Sequence, residues 1–129
     1  MNRHVDWGCR LNQYLNKIKD KPFRMGRHDC CTLVAGAVEA MTGEDPMADW
    51  PKYKNWKEAE DTLSGSSLYN ELRKRFGDPV NGAKGHQGDI AYHDKSCGII
   101  IGKRVMFFGK NGYVMMPISH LQKAFRVPF

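Results

Sequence analysis

The residues best suited to chemistry lie in the stretch 27–43, RHDCCTLVAGAVEAMTG, where Cys30 and Cys31 follow Asp29 and lead into an apolar, helix-like run. A reactive cysteine must favour its thiolate. The first turn of a helix supplies unpaired backbone N–H groups and the positive end of the macrodipole, and both do this. Cys30 stands in such a turn. Advancing 100° per residue places it in the middle of the arc formed by Leu33, Val34, Ala37 and Met41, while Cys31 lies at the flank of that arc. A base on whatever element packs against this face could therefore reach Cys30. The competing reading is that both are small buried hydrophobes, a frequent fate of free cysteine.

The chain has four cysteines, at positions 9, 30, 31 and 97, with no repeated metal-finger spacing. A disulfide scaffold is not expected, and the spacing calls for no metal or other cofactor. Four thiols gathering in space around an ion or cluster is the alternative that spacing leaves open.

The elements that must hold these residues are those of one domain. A chain of 129 residues, 41% apolar and 11% aromatic, can form one packed core and is too short for two ordinary ones. The net charge of +6 is segmented. Residues 1–27 carry +5 (seven basic, two acidic), residues 28–65 carry −5 (three basic, eight acidic) and residues 66–129 carry +6 (ten basic, four acidic). That is a dipolar surface, compatible with cell-wall polymers or an acidic protein partner. Basic and aromatic residues do not alternate as a nucleic-acid-binding module requires, so no nucleic-acid partner is expected. The start, MNRHVDWGCRL, has no apolar run of signal-peptide length, and nowhere do eighteen apolar residues run together. A soluble product made in the cytoplasm, without membrane insertion, is the expectation.

Periodicity divides the chain into a helical first half and a strand-rich second half. Trp7, Leu11, Tyr14, Leu15 and Ile18 recur at helical spacing, with Asp6 as N-cap and an end before Lys21-Pro22. In the cysteine segment Leu33, Val34, Ala37, Val38 and Met41 form one face, Asp29 is the N-cap and Gly43 the stop. GEDPMADWPKYKNW carries turn signals and exposed acids. SLYNELRKRFGDPV reads as a third helix, capped by Ser67, with Leu68, Leu72 and Phe76 inward and Gly77 as stop. After a loop through NGAKGHQ come GDIAYH, CGIIIG, RVMFFG and GYVMMPI, short β-rich runs separated by turns that include Asn111-Gly112; FRVPF is expected to close the sheet. Helices followed by an antiparallel meander from residues 88 to 127 make an α+β domain.

The order of an N-terminal helix, DC opening a second helix, then GDIAYHDKSCGIIIGKRVMFFG resembles the NlpC-like cysteine peptidases, papain-fold enzymes that cut peptide stems of peptidoglycan. The similarity is greatest to a short phage-encoded branch found among tail-tip and tail-assembly genes. That branch shares the layout seen here as KPFRMGRHDCCTLVAGAVEAMTGEDP and an ending similar to NGYVMMPISHLQKAFRV, so the resemblance spans nearly the whole chain. It implies a single NlpC-like domain over residues 1–129, with N-terminal helices packed on a C-terminal antiparallel sheet.

Carried over residue by residue, the resemblance places Cys30 at the nucleophile position. Active members open the next strand with a histidine, in a pattern like HVGIYIG, where this chain reads SCGIIIG; Ser96 therefore holds the general-base position. The third polar residue falls at Phe107 or Phe108, which cannot orient an imidazole. A thiol without a base loses much of its catalytic advantage. His93 is the residue that could take the missing role. If HDKS forms a two-residue hairpin with Asp94-Lys95 at its tip, His93 and Ser96 become cross-strand neighbours on one face, and a shift of one residue destroys this. His28 reads as a loop or cap residue, and His4, His86 and His120 as solvated.

The resemblance thus implies a phage tail-tip or tail-assembly protein with a degenerate cysteine hydrolase site and a structural or adaptor role. It would be made in the host cytoplasm, carried in the virion tail and partnered by tail hub or tail-tip proteins, with peptidoglycan as a further ligand. Two alternatives share the fold: an active peptidoglycan-cleaving cysteine peptidase used as the genome enters the host, and a small cytoplasmic regulatory protein.

Overall fold

The computed structural model describes residues 1–22, 24, 29–50, 53, 57–59, 67–109 and 112–129. Among the described residues, helices over Trp7–Ile18, Cys30–Thr42 and Leu68–Phe76 precede a six-stranded antiparallel sheet, so the domain is α+β. Helix α1 spans Trp7–Ile18 and buries Leu11 and Leu15, two positions of the expected stripe. Asp6 occupies its N-cap position but does not cap it; the carboxylate instead accepts from Arg10 Nε at 2.7 Å.

Helix α2 spans Cys30–Thr42 and is closed at both ends by side-chain and backbone chemistry. The Asp29 carboxylate accepts from the Thr32 N–H at 2.9 Å, and the Thr32 hydroxyl accepts from the Asp29 N–H at 2.8 Å. This reciprocal cap satisfies two otherwise unpaired donors. Gly43 ends the helix at φ 82, a left-handed position that other residues rarely adopt. Leu33, Val34, Ala37, Val38 and Met41 are all buried in the core shared with the sheet. Helix α1 crosses α2 at Gly36, where a Cβ would collide with the Tyr14 ring. The Tyr14 hydroxyl lies 3.3 Å from the carbonyl oxygens of both Thr32 and Leu33 and can donate to either. Helix α3, Leu68–Phe76, is capped by Ser67, whose Oγ accepts from the Asn70 N–H at 3.1 Å; Leu72 is its fully buried residue.

The sheet runs in the order β1-β6-β2-β3-β4-β5, where β1 is Val80–Asn81, β2 Ile90–His93, β3 Ser96–Ile101, β4 Arg104–Gly109, β5 Gly112–Pro117 and β6 Lys123–Phe125. Strands β2 to β5 form the expected meander. The sheet starts earlier than expected, at Val80, and its last strand is not FRVPF: only Phe125 of that run belongs to β6, which crosses back to pair with β2. The reason lies in where the terminal backbone finds its partners. Arg3 donates from Nε to the Val127 carbonyl at 3.1 Å and from its backbone N–H to the Pro128 carbonyl at 3.0 Å, while the Val127 N–H donates to Asp89 at 3.1 Å. These side chains and the N-terminal segment replace a strand ladder that Pro128 could not have extended.

Arg3 and Asp89 themselves form a buried ion pair at 2.8 Å, with Arg3 also set against the rings of Trp7 and Phe129. Burial pushes the Arg3 pKa down from its ordinary value, and the Asp89 charge opposes that shift. No helix among the described residues is long and apolar enough to cross a membrane.

A candidate thiol site

Cys30 opens α2 because Asp29 fixes the helix start one residue before it. Asp29 is itself buried, and besides capping Thr32 it accepts a hydrogen bond from the Tyr53 hydroxyl at 2.7 Å. Burial pushes the Tyr53 pKa far up, so the phenol stays protonated and remains a donor.

Below the first turn of α2 lies β3. Alternation along SCGIII puts Cys97 and Ile99 on the helix-facing side and Ile100 in the second, smaller cluster on the opposite face. Gly98 lies between them, where a Cβ would collide with the Met106 carbonyl of β4. Cys97 is fully buried, and its thiol donates to the Cys30 carbonyl at 3.4 Å. Cys31, at the flank of the helix, also turns toward this point. The Sγ atoms of Cys30, Cys31 and Cys97 all lie within 4.8 Å of one another. Cys9, the fourth cysteine, is exposed on α1.

The three thiols share protons unequally. Interaction with the neighbouring Cys31 and Cys97 thiols lowers the Cys30 pKa well below the ordinary thiol value, against the opposing effect of burial. The cost appears on the other two. The pKa values of Cys31 and Cys97 are raised, first by their interaction with Cys30, with burial adding to the shift.

A pocket of about 270 Å³ lies beside Cys30 and is also lined by His93, Asp94, Ser96, Phe107 and Phe108. The hairpin forms in the register that puts His93 opposite Ser96, with Asp94 and Lys95 at its tip at φ 47 and 64. That is the two-residue turn whose twist matches the strands. His93 therefore reaches the same pocket as Cys30. Its Nδ1 is buried without a hydrogen-bond partner among the described residues, and none of the hydrogen bonds there joins it to Cys30. Phe107 and Phe108 stand where the resemblance puts the third polar residue; Phe108 is buried and stacks on Tyr113 with ring centroids 4.5 Å apart. Of the other histidines, His86 and His120 are exposed and His4 is half-buried. His28 lies outside the described residues, as do Phe23 and Gly26 of the resembling segment and Asn111 of the last hairpin turn.

The sequence reading missed that Cys97 and Cys31 are the neighbours of Cys30. The signal was present in two halves. Cys30 lies on the packing face of α2, and Cys97 shares a strand face with Ile99; joining them required knowing that this strand lies beneath that turn.

The family profile of a domain of unknown function, DUF6950, matches residues 2–127, and the chain belongs to that family. No curated protein and no solved structure matches it.

Proposed function

We propose that this protein keeps an NlpC-like, papain-type frame without a working hydrolase centre, and that it serves as a structural or adaptor protein of a phage tail tip or tail assembly. One observation carries the chemical half of this reading: the Cys30 sulfur is clustered with the sulfurs of Cys31 and Cys97, all within 4.8 Å of one another, while the buried His93 Nδ1 has no hydrogen-bond partner among the described residues. A thiol is a poor general base while its own pKa is raised, so neither neighbour can drive the proton cycle of an acyl transfer at neutral pH. The tail half rests on the resemblance in motif order along nearly the whole chain. On this reading the protein is made in the host cytoplasm and travels in the virion tail.

The test has two arms. Wild-type protein should release no more peptide from peptidoglycan stem substrates than Cys30→Ala does, and it should co-purify with a tail hub or tail-tip protein. Cleavage above the Cys30→Ala level overturns the first half, and failure to associate with any tail component overturns the second.

A second reading, an active wall-cutting cysteine peptidase, is favoured by the position of His93. Its imidazole lines the same pocket as Cys30 and has a free Nδ1. Apo geometry alone does not disqualify a base that tightens onto its nucleophile with substrate bound. That reading requires wild-type cleavage that both Cys30→Ala and His93→Ala abolish.

A further inference from the structure

Three sulfurs drawn together from a helix and a strand form a donor set, and its chemistry is narrow. Cys30, Cys31 and Cys97 place their Sγ atoms within 4.8 Å of one another, and none is in a disulfide. Tetrahedral zinc binds thiolates at about 2.3 Å, which separates two sulfurs on one ion by roughly 3.8 Å. Modest side-chain rotations would close the trio to that spacing. Sulfur donors exclude magnesium and calcium, which take oxygen, and select thiophilic ions. Charge then separates the candidates. Three thiolates beside the buried carboxylate of Asp29 would leave strong residual negative charge around a monovalent ion, and a divalent one neutralises more of it.

We propose that Cys30, Cys31 and Cys97 form a three-thiolate binding site for a thiophilic divalent cation of the zinc type. Three S–H protons leave to solvent as three sulfur–metal bonds form, with no change in oxidation state. The first turn of α2 offers the positive end of its dipole to the anionic cluster. Cys30 connects the trio to the adjoining pocket, which provides a route for the ion and room for a fourth, exogenous ligand. The inference is independent of any virion role, since the isolated chain either binds the ion or does not.

Metal-free, reduced full-length protein should be titrated with Co(II) as a spectroscopic probe and then with Zn(II). A thiolate-to-cobalt charge-transfer band should saturate at one equivalent and be abolished by one equivalent of Zn(II). The band should be lost in Cys31→Ser and in Cys97→Ala and be unchanged in Cys9→Ser. Zn(II) should raise the thermal midpoint of wild type and of Cys9→Ser only, because a ligand that binds the folded state stabilises it. Cys31→Ser, at the half-buried flank of the helix, keeps the test decisive if Cys97→Ala fails to fold. The proposal is overturned if wild type shows no saturable band, if the band survives in a folded Cys31→Ser variant, or if Cys9→Ser removes it.

Discussion

The thiol of Cys97 donates to the backbone carbonyl of Cys30 at 3.4 Å, fastening the middle of the sheet to the first turn of the helix that opens the candidate site. The two residues are 67 positions apart, so this contact reports how α2 sits on β3. Cys97→Ala should remove a fully buried sulfur and leave a small cavity, costing about 1–2 kcal/mol by the range for small buried truncations. Cys9→Ala, at an exposed position, should stay within about 0.5 kcal/mol of wild type. Urea midpoints at constant m-value would measure both, and equal midpoints for the two variants would contradict this packing.

The unequal sharing of protons predicts a pH profile. In metal-free protein, alkylation of Cys30 mapped by mass spectrometry should rise through an inflection below the ordinary thiol value of about 8.5, because its two thiol neighbours stabilise the thiolate. For Cys30, a folded-state pKa below the unfolded one contributes stability that is present above the unfolded value and lost as pH falls through the folded one, whereas the raised Cys31 and Cys97 thiols contribute stability below the unfolded value that is lost as pH rises. Cys97→Ala removes one neighbour and should move the inflection upward. An inflection at or above 8.5 in wild type would refute the assignment.

Asp89 ties two distant parts of the chain to its own loop: it accepts from Arg3 at 2.8 Å, from the Val127 N–H at 3.1 Å and, locally, from the His86 N–H at 2.9 Å. Asp89→Ala would leave the Arg3 guanidinium buried without its counter-charge, at a cost of about 3–5 kcal/mol. That is a large share of the roughly 5–15 kcal/mol that stabilises a typical domain. Chemical denaturation should show the loss, together with earlier proteolysis at the C-terminal segment. A loss under about 1 kcal/mol would mean the pair is not desolvated as described.

Gly36 is small because Tyr14 fills the space above it. Alanine has the better helix propensity by about 1 kcal/mol, yet Gly36→Ala should destabilise by about 1–3 kcal/mol through overpacking. Tyr14→Ala costs stability by itself and should remove the penalty, so the double variant should be more stable than the two single effects predict. Additive effects would show that the α1–α2 crossing is looser than this contact requires.

Much of what positions the site was set by contiguous residues and was therefore legible in the sequence. Asp29, Thr32 and Gly43 define both ends of α2 through bonds spanning three or four residues. Asp94-Lys95 fixes the hairpin register that sets His93 against Ser96. The face carrying Leu33, Val34, Ala37 and Met41 follows from helical period alone. Tertiary structure decided the rest, because nothing local encodes which distant surfaces meet. Period-2 alternation gave Cys97 a face but no neighbour, and only the seating of α2 on β3 turned three unremarkably spaced cysteines into one cluster. The final strand shows the same limit. FRVPF has strand-forming residues, yet Arg3 and Asp89, from the opposite end and the middle of the chain, take up its backbone groups, and Lys123–Phe125 enters the sheet beside β2 instead. Caps and turns are satisfied by near neighbours, whereas strand partners, buried ion pairs and thiol clusters depend on packing between surfaces far apart in the chain.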